Sequence, residues 1–374
     1  MSIRGSLAPY LDRNRAEIAK LVILAVATIL AFAVTRTFAN RTIEIGLEDA
    51  AEWHARGQDA LGAGKIDEAV EAFRRALSKD RNDRTYGLAL AEALAMSAQP
   101  NQALPILLSL RERAPEDPDV NLELGRLAAR NDDMAGAVRY YQSALYAPPR
   151  NADGPRTIRL ELIQLLLKYD ENERALSELI AAADDAGDDP VERILLANLT
   201  LQAGDAERAL EQFQQVLTID ADSAEASSGA GTAAFRLGDF TAAARYLRAA
   251  PDTPEMTAMR ATAELVLSRD PLAARIRASE RRRRLTANLA HVRMRLEGCM
   301  VDSDPPNPEF ASVANAIEGI ERRLRQSGAD QDLVDDGIAA VYGAERFLEP
   351  PRCGPLLPID RALLIIAERH GGGS

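Results

Sequence analysis

The 374-residue sequence predicts an all-α protein: an N-terminal apolar helix, an α-solenoid and a C-terminal helical bundle. Three observations predict it. Residues 21–34 form an uncharged apolar run. Small and large apolar residues recur with a 34-residue period from 50 to 257. Beyond 258, apolar residues fall at three- and four-residue spacing along helix-length segments. Apolar residues make up 47% of the chain and charged residues 27%, which suits a folded core rather than disorder.

At the N-terminus, Ile18 to Phe38 is long enough to cross the hydrocarbon core if Lys20 and Arg36 snorkel to the interfaces. The expected division is 1–17 as an N-terminal cytoplasmic segment, 18–38 as a transmembrane signal-anchor helix and 39–49 as a linker. Arg4, Arg13, Arg15 and Lys20 precede the run, against Asp12 and Glu17; only Arg36 and Arg41 follow before Glu44, Glu48 and Asp49. This bias places the N-terminus inside and the rest outside the cytoplasm, in a single pass of the inner membrane with the repeats periplasmic. Two readings stay open beside it: a cleaved signal peptide, since Ala31-Phe32-Ala33 fits a cleavage site, and a buried helix of a soluble protein. The run has no nearby cysteine to carry a lipid.

The periodic region divides into units 50–83, 84–117, 118–151, 156–189, 190–223 and 224–257, with Ala152-Asp153-Gly154-Pro155 inserted after the third. Each holds two amphipathic segments around a Gly-Asp, Gly-Lys or Asn-Asp turn. Small residues recur at Gly57, Ala91, Gly125, Ala197 and Gly231, and again at Ala69, Ala103, Ala137, Ala175, Ala209 and Ala243. Large ones recur at Phe73, Leu107, Tyr141, Leu179, Phe213 and Leu247. Small residues let paired helices approach; large ones fill the gap to the next pair, so stacking buries what one pair cannot. The fourth unit departs, with Ile163 where a small residue is usual and Gly187 where proline is usual, and a local change of superhelical angle is expected there.

These positions resemble the tetratricopeptide repeat over roughly 50–257. The resemblance implies a right-handed α-solenoid whose first helices line a concave groove. In register, Gln58, Glu92, Arg126, Gln164, Asn198 and Thr232 form one row of that groove. Gly62, Met96, Arg130, Lys168, Gln202 and Arg236 form a second, with Leu61, Ala95, Ala129, Leu167, Leu201 and Phe235 between them. The expected surface is polar to mildly basic with an apolar floor, suited to an extended or helical peptide of some acidic character. Solvated positions without a ligand are the alternative. The dicarboxylate-clamp pattern of chaperone-binding members is not reproduced.

The C-terminal region, 258–374, is read as a solenoid cap followed by a helical domain. Met256–Leu267 closes the solenoid. Asp270-Pro271 opens a helix over 272–299 with Ile276, Leu285, Leu289, Val292 and Leu296 apolar. Helices follow over 309–326, 330–347 and from Pro358. This region resembles the C-terminal part of bacterial tetratricopeptide proteins to which no activity attaches. Cys299 and Cys353 are expected to form a disulfide if the domain is extracytoplasmic, worth roughly 4 kcal/mol in the chain-entropy model; two buried thiols are the alternative. Arg281, Arg282, Arg283 and Arg284 form a basic patch for an acidic partner or phospholipid head groups, unless they neutralise acidic segments such as Asp184-Asp185 and Asp188-Asp189 or are merely solvated.

Several chemistries are disfavoured. A net charge of −12 with 5% aromatics suits nucleic acid poorly. His54, His291 and His370 show no ligand spacing and two cysteines cannot make a four-thiolate site, so no metal or other cofactor is expected. Gly62-Ala63-Gly64-Lys65 fails as a phosphate loop, having Asp59 where the first glycine belongs and Ile66 after the lysine. Asp302-Ser303-Asp304 lacks the rest of a calcium loop. No catalytic motif or small-molecule site stands out, and the chain is expected not to be an enzyme. The resemblance implies a protein-interaction scaffold, placed by the anchor in a cell-envelope complex. The alternatives are a periplasmic assembly factor or chaperone-like adaptor for envelope or cytochrome biogenesis, and a cytoplasm-facing membrane regulator.

Overall fold

The computed structural model describes residues 15–97, 99–148, 154–301, 308–326, 330–350 and 353–370. The charges at Arg4, Asp12 and Arg13, the first half of the insertion, Asp302–Pro306 and the last four residues lie outside the described residues. Among those described there is no strand. The chain divides within one helix into two compact units, Met1–Leu165 and Leu166–Ser374.

The first unit starts with α1, Arg15–Gly62. The expected linker, 39–49, is helical. Thr37, Asn40 and Gly46 are weak helix formers, but no proline interrupts, and Arg41 pairs with Glu44 one turn on at 3.0 Å. Ala50 is the first fully buried residue of α1, and from there the helix packs on α2, Ile66–Lys79. α3 (Arg84–Met96), α4 (Ala103–Arg113), α5 (Pro118–Arg130) and α6 (Met134–Leu145) follow, each packed on its predecessor. α3 also touches α5, as stacked first helices do. α7, Gly154–Lys168, runs across the division.

The second unit continues with α8 (Asn172–Asp185), α9 (Pro190–Gln202), α10 (Ala206–Ile219), α11 (Ala224–Arg236), α12 (Phe240–Leu247) and α13 (Pro254–Arg269). α9 touches α11, and α11 touches α13. The C-terminal helices are α14 (Ala278–Val301), α15 (Pro308–Gln326), α16 (Gln331–Phe347) and α17 (Pro358–Arg369).

The predicted pairing of small with large residues is literal. A Cβ on Gly57 would meet the Phe73 ring, one on Gly125 the Tyr141 ring, and one on Gly231 the Leu247 side chain. The turns inside the pairs share one device. A residue at positive φ stands at Gly64, Asp132, Asp170, Gly204 and Gly238, in step with the repeat once the insertion is allowed for. An aspartate follows at Asp133, Asp205 and Asp239, and its side chain accepts a backbone N–H of the next helix. Gly62-Ala63-Gly64-Lys65 is such a turn, Gly64 sitting at φ +74°.

In the bundle, Leu285, Leu289, Val292 and Leu296 are fully buried along α14, as their spacing predicts. The helix begins later than expected, however. Asp270 accepts the Leu272 N–H, the chain turns with Arg275 at φ +63°, and α14 starts only at Ala278. Pro271 thus belongs to a turn and Ile276 lies outside the helix. One continuous core joins Phe240, Ala243 and Leu247 of the last repeat to the bundle, and α17 packs on both α13 and α16.

Candidate functional site

The first helix of each pair presents the predicted groove positions. In the first unit Gln58, Arg130 and Gln164 are exposed, while Glu92 and Arg126 are half-buried. Arg126 is not free to meet a ligand: it donates to both Glu161 oxygens and to Glu123, which is nearly buried. Glu161 also accepts the Tyr141 hydroxyl at 3.1 Å. Next to it, Arg84 holds Asp117, the cap of α5, together with Asp119. Arg130 donates to the carbonyl of Ala95 near the end of α3. On this face Arg126 is thus engaged by carboxylates and Arg130 by a backbone carbonyl of the preceding repeat.

Glu92 lies amid these charges. Burial, then repulsion from Glu123, pushes its pKa up to about 7 against the attraction of Arg126. A carboxyl group whose folded pKa exceeds its unfolded one binds extra protons in the folded state, so stability falls as pH rises from about 4.5 through 7. Glu92→Gln is expected to raise the melting temperature at pH 8 and to leave it nearly unchanged at pH 4.5, which thermal denaturation at the two pH values checks.

In the second unit Lys168, Asn198, Gln202 and Arg236 are exposed and Phe235 is half-buried. Arg236 donates to the Leu201 carbonyl at 2.7 Å, repeating the bond from Arg130 to Ala95. Both arginines cap the preceding first helix, where cations suit the helix C-terminus. Phe235 stacks edge-on against Phe240 at 5.4 Å and borders a hollow with Met259, Leu364 and Ile365.

The basic patch is partly structural. Arg284 donates to the carbonyls of Leu267 and Asp270 and to Glu280, tying the start of α14 to the end of α13. Arg283 pairs with Glu280. Hydrogen bonds from Arg283 and then Arg284 hold the Glu280 carboxyl down at about 2. Arg281 is half-buried, and Arg282 is exposed. Asp188, one of the acidic residues considered as their partner, pairs instead with Arg193. The structure pairs Cys299 with Cys353 at a Cα–Cα distance of 5.6 Å, within the range a disulfide spans.

One group of polar side chains was not singled out from the sequence. His291 and Arg295 of α14, Glu345 of α16 and Asp360 of α17 converge inside the bundle. The two acids stand 50 residues or more along the chain from His291 and Arg295, too far to form a spacing motif with them.

Residues 60–127 and residues 194–257 each match the tetratricopeptide repeat family. No curated protein sequence matches the chain. Among solved structures, the chain is similar to YrrB, a TPR protein with an unusual peptide-binding site, at 22% identity and a TM-score of 0.42 over 52% of this chain and 99% of that one. It is also similar to PilW, a widely conserved type IV pilus biogenesis factor, at 18% identity and a TM-score of 0.43 over 56% and 96%. The similarity to Pseudomonas aeruginosa pilF is 16% identity and a TM-score of 0.43 over 57% and 97%. The two family matches coincide with helix pairs and turns of the predicted kind in each unit, so the chain carries tetratricopeptide-repeat segments, a type of module that supports protein–protein interaction.

Proposed function

We propose that this protein is a membrane-anchored scaffold whose repeats lie outside the cytoplasm and hold a partner protein or peptide in a cell-envelope complex. The observation that carries the reading is α1. Its apolar stretch is exposed along its length, Leu21, Ile23, Leu24, Ile29, Phe32 and Phe38 each by more than half of their surface. A contiguous apolar surface of this size needs a cover, and a helix this long and apolar can cross a bilayer. The same helix runs on to Gln58, so the binding face works close to the membrane. The charge bias before the span supports an inside N-terminus. The Cys299–Cys353 pair supports an oxidising compartment for the repeats. A disulfide there would close a loop of 54 residues, worth about 4 kcal/mol in the chain-entropy model.

Thiol trapping in intact cells tests this. The cysteines should resist alkylation until reductant is added, and the protein should stay with the membrane after a high-salt wash. Cysteines that label with a permeant reagent but not an impermeant one would put the repeats in the cytoplasm and overturn the proposal.

A further inference from the structure

The bundle buries a polar cluster that a repeat cap does not require. His291 and Arg295 lie one turn apart on α14, Glu345 lies on α16, and Asp360 sits in the first turn of α17. Glu345 and Asp360 are fully buried; the Arg295 and His291 side chains are only 11% and 14% exposed. Arg295 Nη1 pairs with Glu345 Oε2 and lies 3.5 Å from Asp360 Oδ2. The Leu357 backbone N–H donates to the same Asp360 oxygen at 2.8 Å. Arg295 Nη2 donates to the carbonyls of Leu348 and Cys353. Glu345 Oε2 is thus held by Arg295, and Asp360 Oδ2 by the Leu357 N–H with Arg295 beside it.

The other oxygen of each carboxylate has fewer partners among the described residues. Among the described residues, Asp360 Oδ1 meets His291 Nε2 alone, at 2.7 Å. Glu345 Oε1 is buried with no hydrogen-bond partner among the described residues. A buried carboxylate oxygen without a donor is costly, and two carboxylates against one guanidinium leave an excess negative charge when His291 is neutral. One ligand atom from each of His291, Glu345 and Asp360 lies within 4.8 Å of the other two.

We propose that His291, Glu345 and Asp360 bind a divalent transition-metal ion, with Zn²⁺ the best match to one imidazole and two carboxylates. Tetrahedral bonds of about 2.0–2.1 Å set ligand atoms about 3.3 Å apart, so the His291–Asp360 contact of 2.7 Å opens by about 0.6 Å when the ion enters. Arg295 and the Leu357 N–H act as outer partners that orient the two carboxylates, and the guanidinium limits the positive charge the site accepts to a single ion. His291 and Asp360 also line an open cavity of about 460 Å³ with Arg295, Cys299 and Cys353, which supplies an entry path and room for a water ligand. The ion would fasten α14, α16 and α17 together beside the cysteine pair.

The test uses the full-length protein, stripped with chelator, dialysed and titrated with Zn²⁺ by calorimetry; Co²⁺ serves as the spectroscopic probe. Expected are one Zn²⁺ per chain and visible Co²⁺ bands of a four-coordinate N/O site. His291→Gln and Glu345→Gln should each weaken binding at least tenfold, while His54→Gln binds as the parent does. Circular dichroism of the metal-free variants checks folding. Glu345→Gln is nearly isosteric and still accepts from Arg295, so it decides the matter if the histidine variant unfolds. Absence of stoichiometric uptake by the folded parent, or uptake unchanged by Glu345→Gln, overturns the proposal.

Discussion

Replacing Arg295 with methionine is expected to destabilise the second unit by about 3–5 kcal/mol in chelator-treated buffer. Arg295 is the only cation in direct contact with the Glu345 carboxylate among the described residues, and both acids are fully buried. Removing it leaves two like charges facing each other away from water, and also frees the carbonyls of Leu348 and Cys353. The loss should depend on pH with a definite sign. Burial, followed by the charge of Asp360, already pushes the Glu345 carboxyl up to about 7 against the pull of Arg295. Without the guanidinium it rises further. Protonation relieves the repulsion, so the deficit is smallest near pH 5 and widens as pH rises past 7. Denaturant melts of parent and variant at the two pH values check both statements. A double variant, Arg295→Met with Glu345→Met, should recover much of the loss, because it removes the stranded charge together with its partner.

Phe213→Ala is expected to cost about 3–5 kcal/mol. The ring is fully buried between α9, α10 and α11, in a cluster with Ile194, Ala197, Leu201 and Ala230. It lies directly over Gly229, whose Cβ, if it had one, would occupy the space of the ring. The pair therefore carries a second expectation. Gly229→Ala alone should destabilise by about 1–3 kcal/mol through overpacking. In the Phe213→Ala background the same change fills part of the cavity and should be neutral or stabilising. The double-mutant cycle, measured by equilibrium unfolding, would be strongly non-additive. Because repeats support one another through their interfaces, loss at Phe213 should loosen the helices on both sides, and amide exchange should rise in α9 and α11 together.

The repeat was legible because its constraint is local and recurs: Gly57 faces Phe73 and Gly231 faces Leu247 across the same sixteen-residue interval. The turns were legible for the same reason, through glycine or aspartate at positive φ and a capping aspartate just after it. Elements governed by a single residue were read less well. Pro271 looked like a helix start, but the side chain of Asp270 folds the next residues into a turn instead. The stretch 39–49 was read as a linker between anchor and repeats, and helix runs through it unbroken. Side-chain partnerships across repeats were hidden altogether. Arg126 was read by register as one of a groove row, yet its charge is taken up by Glu161 in the following repeat. His291, Glu345 and Asp360 carry no spacing signal, since only the packing of α14, α16 and α17 brings them together.

The unbroken run of α1 has a mechanical consequence. At about 1.5 Å per residue its 48 residues make a rod of about 72 Å, with apolar surface at one end and the first repeat at the other. A flexible tether would let the repeats swivel, whereas a helix transmits rotation. Each residue added or removed between Phe38 and Ala50 turns the far end by about 100°. The length of this stretch therefore sets the compass bearing of the first repeat, and a change of a single residue would aim its face elsewhere while leaving every contact within the repeat intact.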